Sequence, residues 1–174
     1  MFDKGEYIVY GQNGLCEVKD ITYLDMSAAD KKQQYYMLMP VNSKGSTIYC
    51  PVDNERVVAR PILTEDEAWS LIDEIPSIDQ LWVSSEKARE NEYKQCMRGC
   101  NPKEWIKIIK TLYLRKQERI AVGKKITATD EKYLRMAEEQ LYSELGMAIG
   151  KPKNEMEEVI AERVNMLKAI SEEI

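Results

Sequence analysis

The amino-acid sequence predicts an α+β fold: a small antiparallel β module over residues 1–62, then a five-helix bundle over residues 63–174. Three observations predict it. Apolar residues before position 62 fall into five short runs rich in β-branched and aromatic types, separated by turn-forming clusters. After Arg60-Pro61-Ile62 the apolar spacing changes to the period of a helix. Helix-starting and helix-stopping residues then recur to the end of the chain.

The strand-like runs are Tyr7-Ile8-Val9-Tyr10, Ile21-Thr22-Tyr23-Leu24, Tyr35-Tyr36-Met37-Leu38-Met39, Thr47-Ile48-Tyr49-Cys50 and Val57-Val58. Between them lie Gly11-Gln12-Asn13-Gly14, the polar stretch 25–34, Asn42-Ser43-Lys44-Gly45 and Asp53-Asn54. Short strands at this spacing build a small antiparallel barrel or curled sheet. Asn42–Gly45 reads as a hairpin connection. Gly14 is expected in a backbone conformation that a side chain would resist. The segment 46–50 is short and β-rich, and Pro51 limits how far its pairing can extend, so it suits an edge strand or an ordinary internal one.

Thr64 followed by Glu67 is a capping box, and Ala68, Leu71, Ile72 and Ile75 continue one apolar face until Pro76 ends the helix. A second helix is predicted over about 79–98, stopping at Gly99. Asn101-Pro102 starts a third, with Trp105, Ile108, Ile109, Leu112 and Tyr113 on its apolar face. Thr127 or Thr129 caps a fourth, with Tyr133, Met136, Ala137, Leu141 and Leu145 inward and Gly146 and Gly150 loosening its end. Pro152 separates a fifth, carrying Val159, Ile160, Val164 and Leu167.

Charge is segregated. The net charge is -5, yet residues 82–151 hold 15 Lys/Arg against 10 Asp/Glu, while residues 63–81 hold six acids and no base. An acidic protein with one basic helical segment can meet a polyanion through that segment, although such runs are often only solvated helix faces. No window has the ~18–20 apolar residues of a membrane span, and the N-terminus has no signal-peptide pattern, so a cytoplasmic protein without membrane contact is expected. There is no histidine, hence no Ser/His/Asp or Cys/His pair, and no phosphate-binding glycine motif. An enzyme is not expected, nor any cofactor. Cys96 and Cys100 are four residues apart, but a zinc site needs more N/S ligands than the chain offers them, so all four cysteines read as structural rather than metal-binding. Trp69 and Trp105 sit on periodic apolar faces and read as core. Trp82 follows the loop-like Pro76-Ser77-Ile78-Asp79 and precedes Ser84-Ser85, and suits either a core residue or an exposed wedge.

The order and spacing of several motifs resemble the CarD/CdnL family of bacterial transcription regulators. They are Gly5-Glu6-Tyr7-Ile8-Val9-Tyr10, Gly14, Tyr36-Met37-Leu38, Ile48-Tyr49-Cys50-Pro51-Val52-Asp53-Asn54 and Arg60-Pro61 in the first module. Trp82, the run Leu112-Tyr113-Leu114-Arg115-Lys116-Gln117-Glu118-Arg119 and Asp130-Glu131-Lys132-Tyr133-Leu134 follow in the second. The resemblance implies a Tudor/SH3-like module, shared with transcription-repair coupling factors, that binds the RNA polymerase β subunit. It further implies a helical domain that rests on promoter DNA at the upstream edge of the melted −10 region and stabilises the open complex without catalysis. On this reading Trp82, Lys87, Arg89, Arg115, Lys116, Arg119 and Lys132 face DNA, and Leu24, Thr47, Ile48 and Tyr49 face polymerase. Other members carry arginines where this chain has Leu24 and Tyr49, which shifts the expected polymerase contacts to apolar or backbone groups. Gly11 and Gln12-Asn13 replace a proline and a histidine. A monomer with weak, largely sequence-independent DNA affinity of its own is expected. The alternative is a protein-interaction adaptor that never touches DNA.

Overall fold

The computed structural model describes residues 1–24 and 33–172, and these form two compact units, residues 1–62 and residues 63–174. The first is one antiparallel sheet of five strands, β1 (Tyr7–Tyr10), β2 (Gly14–Tyr23), β3 (Gln34–Pro40), β4 (Ile48–Pro51) and β5 (Ala59–Pro61). Their order across the sheet is β4-β3-β2-β1-β5. Side chains alternate in direction along a strand, and Ile8, Tyr10, Cys16, Val18, Tyr36, Leu38 and Cys50 accordingly share one buried face. Burial pushes the Cys16 thiol up to about 11, so it stays protonated and packs as a small apolar group.

Two strand boundaries differ from the sequence reading. β2 begins at Gly14 rather than Ile21: Leu15, Cys16 and Val18 are all buried, with Cys16 and Val18 on the core face, while Glu17 and Lys19 form an ion pair at 2.7 Å nearer solvent. The pattern is a strand with polar residues interleaved, and a bulge between Val18 and Asp20 interrupts its register. Gly14 makes the turn from β1 possible, with φ 66 and ψ −138, a conformation that side chains exclude. The last strand is Ala59–Pro61, and the run Val57-Val58 lies before it. Of the polar stretch 25–34, residues 25–32 lie outside the described residues.

The second unit holds α1 (Glu65–Glu74), α2 (Arg89–Arg98), α3 (Pro102–Ala121), α4 (Ala128–Ile149) and α5 (Met156–Glu172). Thr64 and Glu67 close the reciprocal capping box of α1. Asn101 caps α3 with Pro102 in its first turn, and Thr127 rather than Thr129 caps α4. The core joins Ala68, Leu71 and Ile72 of α1, Tyr93 and Met97 of α2, Trp105, Ile108 and Leu112 of α3, Tyr133, Ala137, Leu141 and Leu145 of α4, and Met156 of α5. Each large apolar side chain contributes about 1.5–3 kcal/mol through burial. No helix among the described residues is long and apolar enough to cross a membrane.

Four expectations are corrected here. α2 starts at Arg89, ten residues after the predicted start, because the segment before it is bound to α3 side chains as described below. Tyr113 projects outward. Trp69 is only half-buried, with the Arg163 guanidinium 5.7 Å from its ring centre. Gly146 does not loosen α4. A Cβ there would lie 2.7 Å from the Lys151 carbonyl oxygen, so the absent side chain admits the returning chain, whose Gly150 and Lys151 N–H groups both donate to the Gly146 carbonyl.

Candidate functional site

In the first unit the chemistry lies along β4. The strand is at one end of the sheet, which makes it an edge rather than an internal strand. The Val52 N–H donates to the Gln34 carbonyl at 3.0 Å, and the register pairs Cys50 with Tyr36 and Ile48 with Leu38. Hydrogen-bonded and non-hydrogen-bonded pairs alternate in an antiparallel ladder. Ile48 and Cys50 therefore turn their backbone groups toward β3, and Tyr49 turns both its N–H and its C=O away from the sheet. Pro51 brings no N–H, and its carbonyl accepts from Asn54 at 3.0 Å. Among the described residues the outward backbone of β4 is thus centred on Tyr49, which is 45% exposed. Thr47 is exposed just before the strand, Ile48 is half-buried against the core, and Leu24 is half-buried just beyond β2. Sequence reasoning named these four residues but not the division between inward and outward backbone, which only the register supplies.

The opposite edge is short, and within β5 Ala59 turns both its backbone N–H and C=O outward. The bonds from Gly11 N–H to Val58 and from Ile62 N–H to Tyr7 fix the β1–β5 ladder, so Ala59 and Pro61 face outward. Pro61 has no donor, and its carbonyl accepts from Arg60 Nη1 at 3.1 Å.

In the second unit the chemistry lies on the segment joining α1 to α2. Trp82 is there, in irregular backbone, 77% exposed. The segment is held from both sides by α3. On one side Lys110 Nζ donates to the Ile78 carbonyl at 2.6 Å, and the Leu81 N–H donates to Thr111 Oγ1 at 2.8 Å. On the other, both terminal nitrogens of Arg115 donate to the Glu86 carboxylate at 3.2 and 3.1 Å. Trp82 therefore follows directly on one anchored residue and precedes another by four positions. The Ile78 carbonyl and the Leu81 N–H are satisfied by α3 side chains, which holds this stretch in irregular backbone ahead of α2.

The predicted DNA-facing cations divide into two groups. Arg115 Nε donates to Asp130 Oδ2 at 2.6 Å, and Asp130 is 1% exposed. Tyr93 Oη donates to the other Asp130 oxygen at 3.1 Å, and Arg89 Nη1 donates to Tyr93 Oη at 3.1 Å. Arg89 also reaches Glu86 through Nε at 3.1 Å and Nη2 at 2.8 Å. Arg119 Nε donates to the Lys125 carbonyl at 2.7 Å and fastens the turn after α3. These three arginines are structural ties in this arrangement. Lys87 and Lys132 are exposed, and Lys132 Nζ stands 5.3 Å from the Tyr133 ring centre. Lys116 is half-buried on α3, and its charge acts on Glu138. The structure thus joins Arg89 and Arg115 in one network with Glu86, Tyr93 and Asp130, and leaves the lysines outside it.

The Arg89 guanidinium first, and Arg115 after it, hold the Glu86 carboxyl below the usual carboxylate range. A depressed folded-state value means that the Glu86 tie is complete at neutral pH and is lost as pH falls through that lowered value. The network members that sequence reasoning did not single out as site residues are Glu86, Tyr93 and Asp130. All three come from separate elements, and no local pattern marks them.

Residues 2–62 match the family model described as the CarD-like/TRCF RID domain. No curated protein matches the chain.

Proposed function

Residues 2–62 form a domain of the CarD-like RNA-polymerase-interacting family, and on that premise we propose that this protein is a transcription regulator that binds the RNA polymerase β subunit and engages promoter DNA. The family is a non-catalytic interaction domain, and polymerase binding is the activity its match supports. The finer reading is that the free edge of β4 adds to a strand of the β subunit through main-chain bonds, which demand little of side-chain identity. Trp82 then meets DNA at the upstream edge of the melted −10 region, with Lys87, Lys116 and Lys132 on phosphates. The observation that carries the DNA half of this reading is the solvent-facing indole on a segment tied at Leu81 and Glu86. A bulky aromatic group presented to water by an anchored segment suits a distorted base step, where partial unstacking uncovers apolar surface.

The adaptor reading draws on the engagement of Arg89, Arg115 and Arg119 inside the protein. Two measurements separate the readings. Footprinting of polymerase on promoter DNA, with and without this protein, should show added protection just upstream of the melted region, and the open complex should live longer. Polymerase binding with an unchanged footprint and lifetime would leave the adaptor reading.

The ladder also selects the variant that tests docking. Tyr49→Pro removes the outward N–H at the centre of the edge and spares the bonds to β3, a position where edge strands accept proline. It should weaken binding to the β subunit about tenfold or more, a loss of ~1.4 kcal/mol, with little change in melting temperature. Ile48→Pro instead removes a donor to β3 and should lower the melting temperature. Equal polymerase binding by wild type and Tyr49→Pro would dismiss the β4 edge.

A further inference from the structure

Arg89 and Arg115 are each held twice, and the two sets of bonds differ in kind. Their inner bonds, Arg115 Nε to Asp130 and Arg89 Nη1 to Tyr93 Oη, run to buried partners. Their outer bonds, five in all, converge on the two oxygens of one carboxylate, that of Glu86. The Glu86 side chain is 68% exposed, whereas those of Arg89 and Arg115 are 18% and 24% exposed. The carboxylate is therefore the outermost layer over two guanidinium groups that are fixed from beneath without it.

We propose that Arg89 and Arg115 form a preorganised site for a backbone phosphate of DNA, and that Glu86 occupies it as an internal stand-in until DNA displaces it. The proposal rests on the DNA-contacting reading above and adds to it the occupant and its exchange. A phosphate presents two oxygens to a guanidinium with the same fork geometry as a carboxylate. Glu86 is the most exposed member of the network, so its carboxylate can leave without uncovering the buried Asp130. With Glu86 in place, two guanidinium charges face two carboxylates, Glu86 and Asp130. Swinging Glu86 into solvent leaves an excess positive charge at the surface, and an incoming phosphate neutralises it. The same exchange frees the Glu86 end of the Trp82 segment while the Leu81–Thr111 bond keeps the other end in place. Wild-type protein would accordingly bind free duplex weakly, and strongly only where polymerase holds DNA against it.

The test uses the full chain and a short DNA duplex at fixed low salt, read by fluorescence anisotropy. Glu86→Gln should bind the duplex about three- to tenfold more tightly than wild type, and adding Arg89→Ala should erase the gain. A second measurement needs no variant. In a DNA titration of the wild-type chain followed by 15N NMR, the Arg89 Nε–H signal should move, because its acceptor changes from Glu86 to phosphate. The Arg115 Nε–H signal should stay, because its acceptor is Asp130. Equal or weaker binding by Glu86→Gln, or an unmoved Arg89 signal in a chain that does bind, would overturn the exchange and leave the DNA-contacting reading standing. Absence of any DNA contact in both proteins, alone and with polymerase, would overturn both.

Discussion

Trp82→Ala should shorten the lifetime of the open promoter complex about 5- to 30-fold, equivalent to ~1–2 kcal/mol, and leave both melting temperature and polymerase binding near wild type. The selectivity follows from exposure. An indole that is 77% in water leaves no cavity when it is cut back, so the loss of ~3–5 kcal/mol expected for a core aromatic does not arise. The indole can contact a distorted base step only after the duplex has opened, so its removal acts on the open state and little on the closed one. Lifetime and melting temperature measured on the same variant decide the matter. A large fall in melting temperature, with activity reduced only in proportion to folded protein, would make Trp82 a packing residue.

The second large effect is on stability. Arg115→Ala should destabilise the helical unit by about 2–4 kcal/mol and lower its melting temperature by roughly 10–20 °C. Asp130 is almost fully buried at the first turn of α4, and Arg115 is the cation that compensates it. Deleting the cation leaves the carboxylate with the Tyr93 hydroxyl alone among its side-chain donors in this network. Removing both charges together, Arg115→Ala with Asp130→Asn, should recover part of the loss, and a double-mutant cycle measures how much. If Arg115→Ala melts like wild type, the buried tie is not what holds α3 to α4. Loss of DNA binding in Arg115→Ala alone is thus no clean sign of a lost phosphate contact. Lys116→Ala and Lys132→Ala are the cleaner probes, because neither touches Asp130.

What could be read from the sequence followed the range of the forces involved. The α1 cap was legible because Thr64 and Glu67 satisfy each other within four residues, and the start of α3 because Asn101-Pro102 is a local signal. The strands β1 and β3 were legible from their unbroken runs of β-branched and aromatic residues. The irregular stretch from Ile78 to Glu86 was not, because the Ile78 C=O, the Leu81 N–H and the Glu86 carboxylate find their partners in the side chains of Lys110, Thr111 and Arg115, some thirty residues further along the chain. The candidate site divided along the same line. The sequence marked Trp82 and a cluster of cations, and only the fold brought Asp130 and Glu86 onto two of the arginines. Local basicity cannot distinguish a cation offered to solvent from one consumed inside the protein. At β4 the sequence suggested an edge, and the ladder register then singled out Tyr49 within it.

The two prolines that end the outer strands also bear on how the protein behaves in a crowded cell. Exposed sheet edges are templates on which chains stack into aggregates, and growth requires an open edge on each side of every added unit. Pro61 and the Arg60 contact to its carbonyl blunt the β5 side, while Pro51 shortens the β4 side to a reach centred on one residue. Each outer strand keeps one residue that turns both backbone groups outward, Tyr49 in β4 and Ala59 in β5, so an added strand finds few bonds on either side. Short reach on both sides predicts a module that resists edge-to-edge stacking.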